Sequence, residues 1–263
     1  MGSEWPRLPA FDSPYDLDRA IPSGWRLEQI GNLYDQLSVG KRFEQKSTFD
    51  AGEVPVIDQS AESVIGWHSE APGVVASEDN PVVTFANHTC EMRLITRPFS
   101  VIQNVFPMVG KPGICDTRFL YYGTKGRVHL EEYKGHFPDF RRKWILLPPL
   151  PQQLEIARIL GALDAKIELN HRMSQTLESM ARALFNSWFV DFDPVRAKAE
   201  GRDPGIPRDL ADLFPVSFEA SDLGEVPYGW GSCRTGDIGK VVCGKTPSTA
   251  EPLYYLGNEV RLP

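Results

Sequence analysis

Two patterns of hydrophobic spacing divide the chain. From Ile21 to about Leu147 the apolar residues fall in short runs: Val54-Pro55-Val56-Ile57, Val74-Val75, Val82-Val83-Thr84-Phe85 and Leu94-Ile95-Thr96. Turn signals separate them, among them Ala51-Gly52, Pro72-Gly73, Asp79-Asn80-Pro81 and Gly110-Lys111-Pro112-Gly113. Short runs bounded by turn residues predict strands of a few residues each. Phe119-Leu120-Tyr121-Tyr122 fits a strand or a short helix equally well. Residues 21–148 thus form a β-rich α+β domain, long enough for a core of its own. Residues 1–20, rich in Pro and Asp, form a leader.

At Pro148-Pro149-Leu150-Pro151 the short runs give way to apolar residues spaced by three and four. Pro151 suits the start of a helix, where no backbone N–H is needed. No further Pro occurs until Pro194, and Gly161 is the one Gly on the way. Ile156, Leu160, Leu163 and Ile167, then Leu177, Ala181, Leu184 and Trp188, lie on one heptad seam, with Asn170 and Ser174 in its middle. Residues 149–192 therefore read as one helix of nearly five heptads, roughly 60 Å long. A stripe of that length needs another long helix against it, and polar seam residues such as Asn170 serve register and partner choice. Residues 193–225 follow as a linker punctuated by Pro, Asp and Gly, with one short apolar piece from Leu210 to Phe214.

An internal repeat spans the helix. Ile21-Pro22-Ser23-Gly24-Trp25 returns as Val226-Pro227-Tyr228-Gly229-Trp230, and Gly40-Lys41 returns as Gly244-Lys245. Residues 226–263 therefore begin like the first domain and are too few to complete a second one.

Composition changes this picture mainly through charge. The net formal charge of −7 is adverse to nucleic acid as a sum, but it conceals a gradient. Residues 1–90 carry 6 basic and 14 acidic side chains, a net of −8, whereas residues 91–143 carry 10 and 5, a net of +5. Because salt screens charges beyond about 10 Å, a basic stretch in an acidic chain still meets phosphate. Lys41, Arg42 and Lys46 form one basic group; Arg93, Arg97, Lys111, Arg118, Lys125 and Arg127 form another, interleaved with Phe119, Tyr121 and Tyr122. These residue types contact phosphates and, for arginine, guanine edges. No apolar run approaches a membrane span. Cys90, Cys115, Cys233 and Cys243 are scattered without a C-x-x-C pair, which fits a reduced, cytoplasmic setting.

The catalytic motifs are weak. Gly239 to Thr246 matches a phosphate-binding loop in letters, yet Val241-Val242 lies inside it and Pro247 stands where a helix must open. Asp116 with Glu132 and Lys134 matches the permissive spacing of magnesium-dependent nucleases and stays open as an alternative. No nucleophile elbow, metal-spaced histidines or methyltransferase motif accompanies them, and no cofactor is expected.

The order of the parts is similar to a known family. A β-rich domain opening on Pro-x-Gly-Trp closes on Leu146-Leu147-Pro148-Pro149-Leu150-Pro151-Gln152-Gln153 and leads into the long helix. Then come Ala183-Leu184-Phe185-x-Ser187-Trp188-Phe189-Val190-Asp191-Phe192 and a second Pro-x-Gly-Trp. This resembles the specificity subunit of a type I restriction–modification system. The resemblance implies a non-catalytic DNA-recognition subunit whose target-recognition domain reads one half of a split double-stranded site through the major groove. It implies a helical spacer that sets the gap and docks methyltransferase subunits, with restriction subunits joining through the complex. Members of the family usually hold two recognition domains and two spacers. One of each is present in this sequence, so pairing with a second copy through the seam is expected to supply the other half. An inactive fragment is the blander alternative.

Overall fold

A computed structural model describes residues 21–60, 64–130, 135–222, 224–240 and 242–244. The leader, Glu132, Lys134 and residues 245–263 lie outside that set. The chain divides into two compact units, residues 1–171 and 172–263.

The first unit is built on a four-stranded antiparallel sheet. Its strands are β2 (Tyr34–Gln36), β5 (Val82–Ala86), β6 (Met92–Ile95) and β8 (Val105–Gly110), in the order β2-β8-β5-β6. Every residue of β5 is buried, because both faces of this sheet are covered. Val83, Phe85, Met92 and Met108 face one core, closed by helices α1 (Thr117–Thr124) and α2 (Phe137–Arg142) and by β9 (Trp144–Leu147). Val82, Ile95 and Val105 face a second core. That core is shared with a three-stranded sheet, ordered β4-β3-β7, of β3 (Val54–Ile57), β4 (Val64–His68) and β7 (Ser100–Val101). β3 pairs antiparallel with β4 and parallel with β7.

Pro107 stands inside β8, an interior strand, where a missing N–H is normally costly. Its carbonyl still accepts from the Leu37 N–H at 2.9 Å, and β2 ends at Gln36, so only one rung is lost. β1 (Arg26–Gln29) pairs antiparallel with β9, which brings the two ends of the domain together. The Phe119-Leu120-Tyr121-Tyr122 run is helical. Asp116 caps α1 by accepting the Phe119 N–H at 2.8 Å, and this start signal decides the element.

The long helix, α3 (Leu150–Phe189), starts one residue before Pro151, with the Pro149 carbonyl accepting from Gln152 and Gln153. Its first turns pack on the first core through Gln153, Ile156 and Ala157, with Leu160 half-buried. Beyond them the seam residues Leu163, Ile167, Asn170, Leu177 and Leu184 are exposed, and so are Leu169, Met173 and Met180 beside them. The fold is thus the α+β domain and coiled-coil-type helix that the sequence predicts. Among the described residues, no helix is long and apolar enough to cross a membrane.

In the second unit α3 ends at Phe189, and Phe192, turned left-handed (φ 56°), precedes α4 (Asp193–Ala199). α5 (Arg208–Ala211) and a hairpin of β10 (Phe218–Ser221) and β11 (Gly224–Pro227) follow, so the 193–225 stretch holds short ordered elements. Trp230 stacks on Phe189, 6.1 Å between centroids, and meets Phe192 edge-on at 5.7 Å. Trp25, its counterpart in the repeat, instead donates its indole N–H to Gln152 Oε1 at 2.8 Å. Each copy of Pro-x-Gly-Trp therefore places its tryptophan on one end of α3. α6 (Thr235–Ile238) leads into the Gly239–Thr246 motif, whose Val241, Lys245 and Thr246 fall outside the described residues.

Candidate nucleic-acid interface

β6 is the edge strand of the four-stranded sheet, and its alternation sends Met92 and Leu94 into the first core. Arg93 and Ile95 therefore point to the other face. Beyond the strand lies Arg97, and across from it the second half of α1 presents Tyr121 and Lys125. Arg93, Arg97, Lys125 and Tyr121 line one open depression with Ile57, Val64 and Thr96, and Glu91 is the one carboxylate among its described lining residues. Among those residues three cations face one carboxylate, a lining whose charge suits anions.

The cations of this depression are not equivalent. The Arg93 guanidinium donates to the Asp58 carbonyl at 3.1 Å and to the Ser60 carbonyl, so it clamps the segment after β3. Burial lowers its pKa, against opposing effects of Glu91, Asp58 and Tyr121. Arg97 lies over the Trp67 ring at 5.6 Å, an exposed cation on an aromatic plate. Lys125 sits 4.9 Å above the Tyr121 ring and donates to its hydroxyl at 2.6 Å.

The other basic residues lie elsewhere. Arg42 spends its guanidinium on the Ile102 and Val105 carbonyls, at 3.0 and 3.3 Å. Arg127 donates to the Gly123 carbonyl at 3.2 Å, and burial lowers its pKa. Arg118 holds Glu78 through its carbonyl at 2.7 Å and its carboxylate at 3.1 Å. Lys41 pairs with Glu70 and lies 4.6 Å over Phe43. Lys46, fully in solvent, pairs with Glu44 at 2.7 Å, which raises its pKa. Lys111 is half-buried in the turn between β8 and α1.

Several contributors carry no basic charge and escape a search for lysines and arginines. His68 stacks on Phe43 with ring centroids 4.1 Å apart. Its Nδ1 accepts the Glu70 N–H at 3.0 Å, which assigns the proton to Nε2, facing Ser100 Oγ at 2.9 Å. That neutral ring fixes the loop carrying Glu70, and burial depresses its pKa, with Glu70 opposing and Lys41 adding to the effect. Gln153 is 1% exposed and bridges three backbone groups. It donates to the Ile114 and Pro148 carbonyls at 3.0 and 2.8 Å and accepts the Asp116 N–H at 2.9 Å. Tyr122 donates to Asp164 Oδ2 at 2.9 Å, and burial, followed by Asp164, raises its pKa. The direct Pro-Gln-Gln junction is the sequence signal that marks Gln153.

Asp116, one of the three nuclease candidates, is occupied as the α1 cap, and Glu132 and Lys134 lie outside the described residues. Among the described residues, no group of three or more His, Cys, Asp or Glu side chains is arranged to hold a metal ion. Cys90, Cys115, Cys233 and Cys243 form no disulfide.

Comparison with known proteins gives this arrangement its context. The chain is 36% identical over 153 residues to the specificity subunit of the type I restriction enzyme HindI of Haemophilus influenzae, covering 43% of this chain and 33% of that one. It is 29% identical over 168 residues to the type I restriction enzyme MjaIX specificity subunit of Methanocaldococcus jannaschii, covering 60% and 35%. The chain thus spans about one third of the length of the curated relatives it matches. The type I restriction–modification S subunit of M. genitalium shares its fold, with a TM-score of 0.52 at 13% identity over 64% of this chain and 46% of that one. The sequence model of the type I restriction modification DNA specificity domain matches residues 22–179, more than half of the chain and the same stretch that holds the two-core domain and most of α3. The chain therefore belongs to the type I restriction–modification DNA specificity family.

Proposed function

We propose that residues 21–148 act as a target-recognition domain that reads one half of a bipartite double-stranded DNA site. In this reading α3 and its flanks, residues 149–192, form a spacer that docks methyltransferase subunits, and restriction subunits join through the assembled complex. Residues 193–225 link it to residues 226–263, the start of a second recognition domain. The subunit works in the cytoplasm and carries no chemistry of its own; it brings the partners' chemistry to a chosen sequence.

The observation that supports DNA reading most directly is the cation-lined depression between β6 and α1, inside the stretch the family model covers. Arg97 and Lys125 present their charges there from aromatic supports, and Lys41, Lys46 and Lys111, outside the depression, are the further phosphate contacts of this reading. Arg42, Arg93 and Arg127, and Arg118 through Glu78, shape the loops that carry it. The exposed apolar seam of α3 supports the docking role, since Leu163, Ile167, Leu177 and Leu184 in water are unfavourable unless a second helix covers them. A second copy of the chain, paired through that seam, would present a second half-site reader.

The test is co-expression with the methyltransferase subunit, followed by mapping of the bases that become methylated. A split target is the expected result; methylation without sequence preference, or no association, rejects the reading. Replacing Arg97 and Lys125 together with Ala should weaken binding to all sequences and reduce the logarithmic salt slope by about 2, as loss of two phosphate contacts requires.

A further inference from the structure

Among the described residues of the first unit, no Phe, Tyr or Trp is as exposed as Phe49, at 68%. A single apolar side chain in water is ordinary on a protein surface. Phe49 is unlike such residues because its backbone is pinned. Its N–H and its carbonyl both bond to Trp67 at 2.9 Å, which adds a rung to the outer edge of β4. Thr48, just before it, donates to the Gln45 carbonyl at 2.8 Å and lies so close to Gly66 that a Cβ there would sit 2.5 Å from the Thr48 Cβ. Gly52 leaves similar room for Trp67, whose Cβ would be 2.9 Å from a Cβ at that position. The chain thus holds an apolar ring in water on a fixed support, and the ring belongs to neither core.

The surroundings indicate what the ring meets. Residues directly opposite across an antiparallel pair share a face, so Phe49 lies on the face of the half-buried Trp67. Arg97 lies over the Trp67 ring at 5.6 Å and also lines the cationic depression. Opposed Cβ atoms are about 5 Å apart, which puts Phe49 on the order of 10 Å from the Arg97 charge. The major groove of B-DNA is about 12 Å wide and about 8.5 Å deep, so a guanidinium on a phosphate at its edge leaves a ring at that distance over the base edges. Asp50 and Glu53, exposed in the turn after Phe49, repel phosphate and so turn this end of the surface from the DNA backbone toward the bases. A phenyl ring makes no hydrogen bond with a base edge. The apolar group that the major groove offers it is the C5-methyl of thymine.

We infer that Phe49 is a specificity-determining residue that reads the methyl group of one thymine in the half-site, held in place by Trp67 and with Arg97 on a neighbouring phosphate. The inference rests on the DNA-reading role proposed above and deepens it, since it puts a thymine in the target and assigns it to one side chain.

The experiment uses the full chain assembled with its methyltransferase and a duplex carrying the mapped target. Each thymine is replaced in turn by deoxyuridine, which removes the methyl and keeps every hydrogen bond of the base pair, and binding is titrated. At one position the wild-type complex should lose about fourfold in affinity, the worth of one buried methyl. Phe49→Ala should bind thymine and deoxyuridine equally at that position, keep the wild-type response at every other, and leave the salt slope unchanged. Phe49→Leu retains an apolar contact and should retain most of the discrimination. The wild-type comparison alters only the DNA, so the test does not depend on how any variant folds. A sequence-selective complex with no position sensitive to the methyl overturns the inference and leaves DNA reading intact, and so does a Phe49→Ala complex with the full wild-type discrimination. A DNA bend that Phe49→Ala abolishes without any methyl effect assigns the ring to wedging between base steps and equally overturns it. A wild-type complex without sequence preference rejects the DNA-reading role itself, and this inference with it.

Discussion

Leu177→Ala is a substitution whose cost should depend on the company the helix keeps. In the chain by itself Leu177 is 59% exposed on the outer seam of α3, like Leu163 at 53%. An exposed leucine contributes little, and alanine has the better helix propensity, so the isolated chain should change by no more than about 0.5 kcal/mol. Once a second helix covers the seam, the same truncation removes three carbons from a packed interface and leaves a cavity. That costs about 2–5 kcal/mol, and in a pair of identical helices it is incurred once per copy. A loss of about 3 kcal/mol weakens association more than a hundredfold. Sedimentation of the chain with and without the methyltransferase reads the association, and urea melts of the chain read its own stability. The reasoning is refuted if the variant lowers the chain's own stability by as much as it weakens assembly, or if assembly is indifferent to it.

Other expectations follow from the same geometry. Arg42→Ala should lower stability by about 1–3 kcal/mol, because two carbonyls lose their donor, yet leave the salt slope of DNA binding unchanged; urea melts and salt titrations separate the two. Gly110→Ala would place a Cβ 2.2 Å from the Cys115 carbonyl, so at least about 3 kcal/mol of destabilisation is expected. Gly113→Ala, in open space at φ +74°, should cost about 1 kcal/mol on the same melt. His68 is held neutral, with a pKa below its ordinary value, so the unfolded chain binds the extra proton first. Its contribution should be complete above about pH 6.5 and drain away as pH falls through that value toward the folded-state pKa, and His68→Gln should flatten that slope in denaturation series.

What could be read from the sequence was what repeats. The seam from Ile156 to Trp188 declares a helix because its period is sustained over many turns and no proline interrupts it. The β-rich domain was legible as a class but less so in detail. β8 contains Pro107, and its tolerance depends on where β2 happens to end. β5 is buried on both faces and so shows no alternation to mark it as half-exposed. At the candidate interface the basic residues were visible as charges, but their division of labour was not. Whether an arginine faces solvent or a carbonyl of its own backbone, as Arg42 and Arg93 do, is settled by residues dozens of positions away. The Pro-Gln-Gln junction points to Gln153 but not to its role, for a similar reason: a buried amide has no periodic signature, only partners.

The antiparallel pairing of β1 with β9 has a consequence for how such chains diversify. Arg26 lies opposite Leu147, and the Ile30 N–H adds a rung to the Lys143 carbonyl at 2.9 Å, so the polypeptide leaves the domain beside the point where it came in. Everything between those two strands is a closed excursion from a short ribbon at the base of α3. An excursion with adjoining ends is exchangeable: a different body of sheets and loops, grafted between residues 29 and 144, would meet the same ribbon and the same helix. New sequence tastes would then arise by transplantation, without redesign of the frame that carries them.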